Sequence, residues 1–443
     1  MPRNADRALR LAPAVFAAVV VAFLPALRFP FLNWDDQPNI VDNALLRFDA
    51  PGLTFMLTGS QLGHWQPATW LTLAFDRLLW GGNPLGFHLT NVLLHALGAV
   101  LLFFLARRLK LAAGKRAETA AVFAALFWAL HPLRVESVAW VTERRDVLCG
   151  VLSLGAALAY IRGLDDAAWR RPAFLLTALA MTSKVFAIVL PATWLLLDLR
   201  LAGAPRWREK LPYVPLALGV LAFNLAAQSG SGAAVPLADF GVSHRLAQAF
   251  YGLAFYPWKT LLPAGLSPLY ERSILLEPFP FSVAAAAVLT AALYLALTRK
   301  RVDGLAQAAL AYAILLLPAL GFFKSGRMIA ADRWSYLPAI PVALLVAAAL
   351  GRALDAPAFR AASGCVALAL VLLTRRQLPV WSSDEALWRR AVTASPLSAF
   401  ALERLADAEA AAGKTADAAS RLEKARALKR FIADAAARVR PAQ

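Results

Sequence analysis

Residues 11–36 read LAPAVFAAVVVAFLPALRFPFLNWDD, and this stretch decides the fold. A run of some twenty apolar residues ends abruptly on two adjacent carboxylates. The hydrocarbon core of a bilayer takes roughly 20 apolar residues of helix, and a backbone buried there must satisfy its own hydrogen bonds. The run is therefore a transmembrane helix, and Asp35 and Asp36 stand at the membrane boundary. Arg3, Arg7 and Arg10 precede it as in a signal peptide. No small-residue cleavage site follows, so it is read as a retained first span.

The same pattern recurs along the chain. Of 443 residues, 60% are hydrophobic, and the mean hydropathy is +0.56. Period-2 alternation is scarce, which argues against a barrel. Spans are expected near 12–31, 87–106, 119–139, 147–162, 172–183, 185–199, 211–228, 281–298, 305–323, 336–354 and 359–374, eleven crossings in all. The pair 172–183 and 185–199 is short and broken at Ser183 and Lys184, a pattern of helices that line a cavity. Residues 245–262 are apolar enough to cross but are read as re-entrant or interfacial, because a full crossing inverts every later loop.

The net charge of +18 does not point to nucleic acid. Its lysines and arginines recur in short loops between apolar blocks, as at Arg107, Arg108, Lys110, Lys115 and Arg116, which is the positive-inside pattern. That loop is assigned to the cytoplasm with the N-terminus. The acidic first loop, 33–85, and the C-terminus are assigned to the outer side of an inner (plasma) membrane. Residues 67–80 place apolar and aromatic residues at helical spacing, as in a helix lying on the outer leaflet. The two cysteines, Cys149 and Cys365, lie in apolar runs with no metal-ligand spacing.

The fold class is thus all-α, a polytopic membrane domain over 1–376 followed by a helical tail over 377–443. Residues 383–435 are polar and Ala-rich. Trp388, Ala391 and Pro396 precede Leu422, Ala425 and Arg430 by a constant 34 positions, the period of a TPR helix pair. The tail holds about one and a half such repeats, too few for independent stability, so it packs on the membrane domain or on another chain.

Five constellations carry chemistry. Asp35 and Asp36 are paired carboxylates. One is placed to take a proton from a hydroxyl, and the other to orient it or to hold a divalent metal; the alternative is two solvated loop acids. His64, then His88, Asn91 and His95 on one helical face, are hydrogen-bonding groups on the same side. His131 to Glu136, with Arg134 and Glu136, and then Glu143, Arg144, Arg145 and Asp146, set ionisable groups at the outer end of a helix pair, where they are costly unless paired or functional. Lys184 sits between two half-length spans. Lys324 and Arg327, followed by Asp332 and Arg333, lie outside against the positive-inside bias, where an anionic headgroup balances them. No Gly-rich phosphate loop, nucleophile elbow or HExxH is present, and no cofactor is expected beyond that metal.

In their order, these motifs resemble the bacterial relatives of the transmembrane and TPR-containing O-mannosyltransferases (TMTC). The resemblance rests on residues 31–36, Gly86, Phe87 and His88 through His95, His131 and Pro132 through Glu136, residues 144–146, Ser183 with Lys184, residues 257–259, and residues 332–338. It implies a GT-C fold and an inverting glycosyltransferase, using a polyprenyl-phosphate sugar such as a mannosyl lipid and a protein or glycan acceptor. Asp35 or Asp36 is then the base, and the donor phosphate is met from Arg145, Lys184, Lys324, Arg327 and Arg333. His64, His88, Arg134, Glu136, Arg144, Asp146 and Asp332 complete the expected substrate site. Family members carry long TPR arrays where this chain has a short one, so a protein partner through the tail is a separate expectation. Two other readings stand beside it: a non-catalytic membrane scaffold, and a transporter of lipid-linked sugars.

Overall fold

The structure, a computed structural model, describes residues 2–232, 235–237, 241–271, 304–322, 326 and 328–439. Helix dominates, as the apolar blocks require. Five described helical stretches are long and apolar enough to cross a membrane: Leu9–Arg28, Pro84–Arg108, Val141–Gly163, Trp207–Gly230 and Ala356–Trp381. A sixth is a pair bent by 51°, Gly114–Ala129 with Pro132–Ala139. Leu305–Ala319 and Ala339–Ala353 are shorter apolar helices. The expected span at 281–298 lies outside the described residues.

Pro84–Arg108 is the axis of the bundle. It packs against the first helix, against Ala117–Ala129 and against Arg144–Gly163. Close approach is possible because the facing residues are small: Ala96, Ala99, Ala120, Ala121, Ala124 and Ala125 are all buried, the usual device where lipid offers no hydrophobic drive between helices. The large side chains Phe23, Phe103 and Trp128 fill the seams. Gly150 lies against the Tyr336 ring, so closely that a Cβ at 150 overlaps it.

The break at Ser183 and Lys184 is present as read. Arg170–Ser183 ends, Lys184 is extended (φ −152°, ψ 128°), and a short 3-10 turn, Val185–Val189, leads into Leu190–Leu201. Residues read as re-entrant or interfacial form one continuous helix, Val242–Leu261. Near its start Arg245 donates to the Phe322 carbonyl (2.7 Å). Near its end His131 Nε2 donates to the Thr260 carbonyl (3.1 Å). Leu261 leads on to a two-strand ladder of Tyr270–Glu271 with Met328–Ala330.

In the first loop, Pro67–Trp80 is helical over the expected residues. It buries Trp70 and Leu73 against the bundle and leaves Phe75, Leu78 and Leu79 exposed. The tail is three helices, Asp384–Ala394, Ala399–Ala411 and Thr415–Val439. Ser383 and Ser398 cap the first two through the main-chain N–H groups of Ala386 and Ala401. Gly413, at φ +78°, makes the turn into the third.

The Gly150 contact is testable. Gly150→Val forces the Tyr336 ring out of its place and is expected to destabilise the protein by about 1–3 kcal/mol, read as a lowered thermal midpoint in detergent. An unchanged midpoint refutes the close packing.

Candidate active site

The helix ends, the first loop and the tail enclose a cavity of about 740 Å³. One side is cationic, with Arg145, Lys184 and Arg333 at its wall. Neutral polar groups follow: His64, Gln66, Asn224 and Gln248. Aromatic faces are given by Trp34, Trp65, Trp334 and Phe400. Ile188, Val189, Leu221, Leu225 and Leu317 make an apolar extension.

Glu143 organises the cationic side. It is wholly buried and meets three cations: Arg145 Nη2 at 2.5 Å, Arg333 Nε at 3.2 Å and Lys184 Nζ at 3.5 Å. Lys184 also pairs with Asp146, whose other oxygen accepts from Ser137 Oγ (3.0 Å). Arg333 also pairs with Glu136 through its guanidinium, and its main-chain N–H donates to the same carboxylate (2.9 Å). The arrangement draws on four separate segments. Arg145 uses Nε and Nη2 on Glu143. Its Nη1 makes no hydrogen bond among the described residues, so a donor group is left over at the cavity wall.

The two adjacent aspartates divide sharply. Asp36 is fully buried and accepts from the Leu32 N–H (3.0 Å), the Thr142 N–H (2.8 Å) and Thr142 Oγ1 (2.6 Å). It ties the first loop to the loop ahead of residue 144. Burial pushes its carboxyl up to about 7 against those hydrogen bonds. Asp35 reaches the cavity, and its carboxylate has no hydrogen bond or ion pair among the described residues. Burial raises its pKa, and the Arg145 and Arg333 charges oppose the rise. A carboxylate kept near cations, unpaired and part desolvated is suited to accept a proton.

His64 faces the same cavity. Burial, with the Arg145 charge, holds its imidazole well below the usual histidine range, so it is neutral. Its loop is closed by the paired main chains of Gln61 and His64. The adjoining Trp65 stacks on Phe223 (4.8 Å between ring centres).

Of the expected site residues, Asp35, His64, Arg145, Lys184 and Arg333 come together at the cavity. Glu136 and Asp146 stand behind them as the carboxylates that hold the cations. The rest are elsewhere. Arg144 is buried among Asp76 (2.5 Å), Asn91 and the Phe87 carbonyl (2.9 Å). Its role is to join Pro67–Trp80, Pro84–Arg108 and Arg144–Gly163. His88 is buried edge-on to Phe29. Arg134 contacts Ser335 Oγ and lies over the Tyr336 ring. Asp332 accepts from Tyr270 Oη (2.8 Å). Lys324 and Arg327 lie outside the described residues. For the divalent metal at Asp35 and Asp36 the donor set is missing. Asp36 is committed to Leu32 and Thr142, and no group of three potential ligands is gathered among the described residues.

Sequence reasoning missed Glu143 as the hub, although it is adjacent to the quoted arginines. Gln66 lies in the His64–Pro67 stretch that sequence reasoning marked, without a role of its own; Asn224 and Gln248, which carry no local motif, and Phe400, which is remote in sequence, were missed.

Comparison with known proteins finds curated relatives. Protein O-mannosyl-transferase Tmtc1 of Drosophila melanogaster is 32% identical over 163 residues, which is 34% of this chain and 18% of that protein. TMTC4 of Mus musculus is 31% identical over 177 residues, 35% of this chain and 24% of that protein. TMTC1 of Homo sapiens is 31% identical over 175 residues, 36% of this chain and 19% of that protein. The matched part is under a quarter of each relative's length. No family model matches the chain, and no solved structure does.

The division between the two aspartates predicts opposite outcomes for stability. Asp36→Ala strands two buried main-chain donors at about 1–3 kcal/mol each and lowers the thermal midpoint in detergent. Asp35→Ala removes an unpaired, desolvated carboxylate and leaves the midpoint unchanged or raised. Equal losses in the two variants overturn the distinction.

Proposed function

This chain is a relative of the TMTC protein O-mannosyl-transferases, and we propose that it is a membrane glycosyltransferase that moves a sugar from a polyprenyl-phosphate donor to a hydroxyl acceptor. The observation that carries the reading is the unpaired Asp35 carboxylate sharing one cavity with Arg145, Lys184 and Arg333. Transfer from a phosphate-activated sugar needs two opposed groups. A base takes the proton of the acceptor hydroxyl as its oxygen bonds to the anomeric carbon. Cations stabilise the phosphate that departs with the electrons of the breaking C–O bond. Asp35 is assigned the first role. Arg145, with its spare Nη1, and Lys184 take the second, while Arg333 is more fully committed to Glu136 and Glu143.

The neutral groups have the chemistry of a sugar site. His64, Gln66, Asn224 and Gln248 offer donors and acceptors without charge, and Trp34 and Trp334 offer faces. The apolar extension through Ile188, Leu221 and Leu317 suits the first isoprene units of a lipid. This division favours a GT-C type enzyme over a scaffold, which has no use for a desolvated carboxylate. The transporter reading is weaker, because a carried sugar does not need a base.

The topology belongs to the same proposal. Gly304, Arg200 and Arg352 border a second, apolar groove of about 180 Å³ near Leu109, at the end of the bundle away from Asp35. Leu317 borders the main cavity, so Leu305–Ala319 runs from one end to the other. Both ends of Val242–Leu261 lie at the cavity end, which supports an interfacial helix in an eleven-crossing chain with the cavity and tail outside. A periplasmic reporter fused after residue 376 is expected to be active; an inactive one sinks this topology.

For the chemistry, the purified protein in lipid is given a panel of polyprenyl-phosphate sugars, and envelope proteins and glycans are read by mass spectrometry. Asp35→Asn lowers kcat on the order of 10²–10⁴-fold while donor binding persists. The base must be ionised. Since burial raises its pKa, the rate climbs with pH through a limb above the ordinary value of 3.8. Full transfer by Asp35→Asn removes the assignment.

A further inference from the structure

Asp35 is preceded by two residues that are not held by the membrane helices alone. The Asn33 N–H donates to Asp384 Oδ1 of the first tail helix (2.7 Å). The Trp34 indole lies between Trp140 (ring centres 4.5 Å apart, 19° between planes) and Trp388 of the same tail helix (4.9 Å, 56°). Trp388 is buried and meets Phe400 edge-on at 5.5 Å, and Phe400 borders the cavity. Arg404, one helical turn beyond Phe400, is close enough for its charge to be felt at Asp35.

The tail is fastened on a second side as well. Arg390 Nε donates to the Leu266 carbonyl (2.7 Å), and Ser395 Oγ to the Leu269 carbonyl (3.1 Å). Ser398 Oγ donates to Glu271. Leu269 is itself a cavity residue. The helices Asp384–Ala394 and Ala399–Ala411 therefore bridge two walls of the cavity. Each contact is specific: a carboxylate accepting from a main-chain N–H, an indole stacked on Trp140 and tilted against Trp388, and three side-chain hydrogen bonds to residues 266–271.

We infer that this helical pair is part of the catalytic site, with Trp388 and Asp384 as positioning residues for Asp35 and Phe400 as the wall against which the acceptor lies. The inference rests on the reading of Asp35 as the base. Freed from Trp388, Trp34 loses one of its two indole contacts, and the carboxylate beside it gains mobility and solvent. A base displaced by about 1 Å costs on the order of 10²-fold in rate. Its pKa also falls toward the ordinary value, because burial is what raises it. The donor phosphate is assigned to Arg145 and Lys184, whose ion pairs run to Glu143 and Asp146 and not to the tail helices, so donor affinity is unaffected.

The test uses the full-length protein in lipid with Trp388→Ala, Trp388→Phe and Asp384→Ala. The expected result is a kcat for transfer reduced on the order of 10²-fold in Trp388→Ala, with an unchanged KM for the lipid-phosphate donor. The rising limb of its pH–rate profile moves to lower pH, Trp388→Phe recovers most of the rate, and Asp384→Ala is intermediate. Wild-type kcat and pH limb in Trp388→Ala, or a loss of rate with an unmoved limb and no rescue by Phe, overturn the inference. Amide hydrogen exchange supplies a readout that needs no activity. In Trp388→Ala, exchange rises in residues 31–42 and not in residues 84–108. If the wild type transfers from none of the lipid-phosphate sugars, the glycosyltransferase reading fails, and exchange still decides whether the tail holds the loop. Unchanged exchange in residues 31–42 refutes that hold whatever the reaction.

Discussion

Everything at the cavity depends on one buried carboxylate, Glu143. Moving a charged group out of water costs several kcal/mol unless it is well paired, and Glu143 has no exposure at all. Its three cations come from its own turn, from the break between two half-length helices and from the 3-10 turn Asp332–Ser335. None of these segments can shift without leaving a charge unpaired. Removing one member of a buried pair typically costs about 3–5 kcal/mol. The break at Lys184 follows from this. An unbroken helix there keeps its lysine on a helical face, whereas the extended residue carries the ammonium across to Glu143 and Asp146.

That constraint also explains why two neighbouring aspartates have different fates. Loop 33–36 has to fold over the cationic knot, and something must anchor it there. Asp36 does so by accepting three hydrogen bonds, two of them from Thr142, the residue just before Glu143. The anchor sets Asp35 on the opposite side of the chain, over the cavity and near the positive charges, yet beyond direct pairing. One carboxylate is used for structure so that its neighbour stays chemically available.

Much of the fold was legible in the sequence because bilayer physics is one-dimensional. A run such as residues 11–31 announces a span without any knowledge of its neighbours, and the 67–80 helix is correct to the residue. The site was legible only as a set of candidates. Arg144 and Arg145 are adjacent and chemically identical, yet they leave their helix in different directions: Arg144 to Asp76 in the packing, Arg145 to Glu143 at the cavity. Asp35 and Asp36 part in the same manner. Adjacent positions in a turn point to different surroundings, and only the packed structure says which surrounding is which. Gln248 and Phe400 were beyond reach for another reason: each lies at the cavity only because separate segments of the chain pack together there, and neither sits in a pattern.

The tail shows how a short helical module is stabilised. Three helices bury little apolar surface among themselves and need a further neighbour. The missing neighbour is the membrane domain itself. Trp381 and Trp388 are buried; Trp388 meets Trp34 directly, and Trp381 stacks at 5.5 Å on Trp140, the indole on which Trp34 stacks. Stability of the tail and placement of the Asp35 loop therefore draw on the same contacts. A module packed in this way cannot detach to recruit a partner without exposing those indoles and loosening the loop that carries Trp34 and Asp35, which argues against a freely swinging scaffold arm.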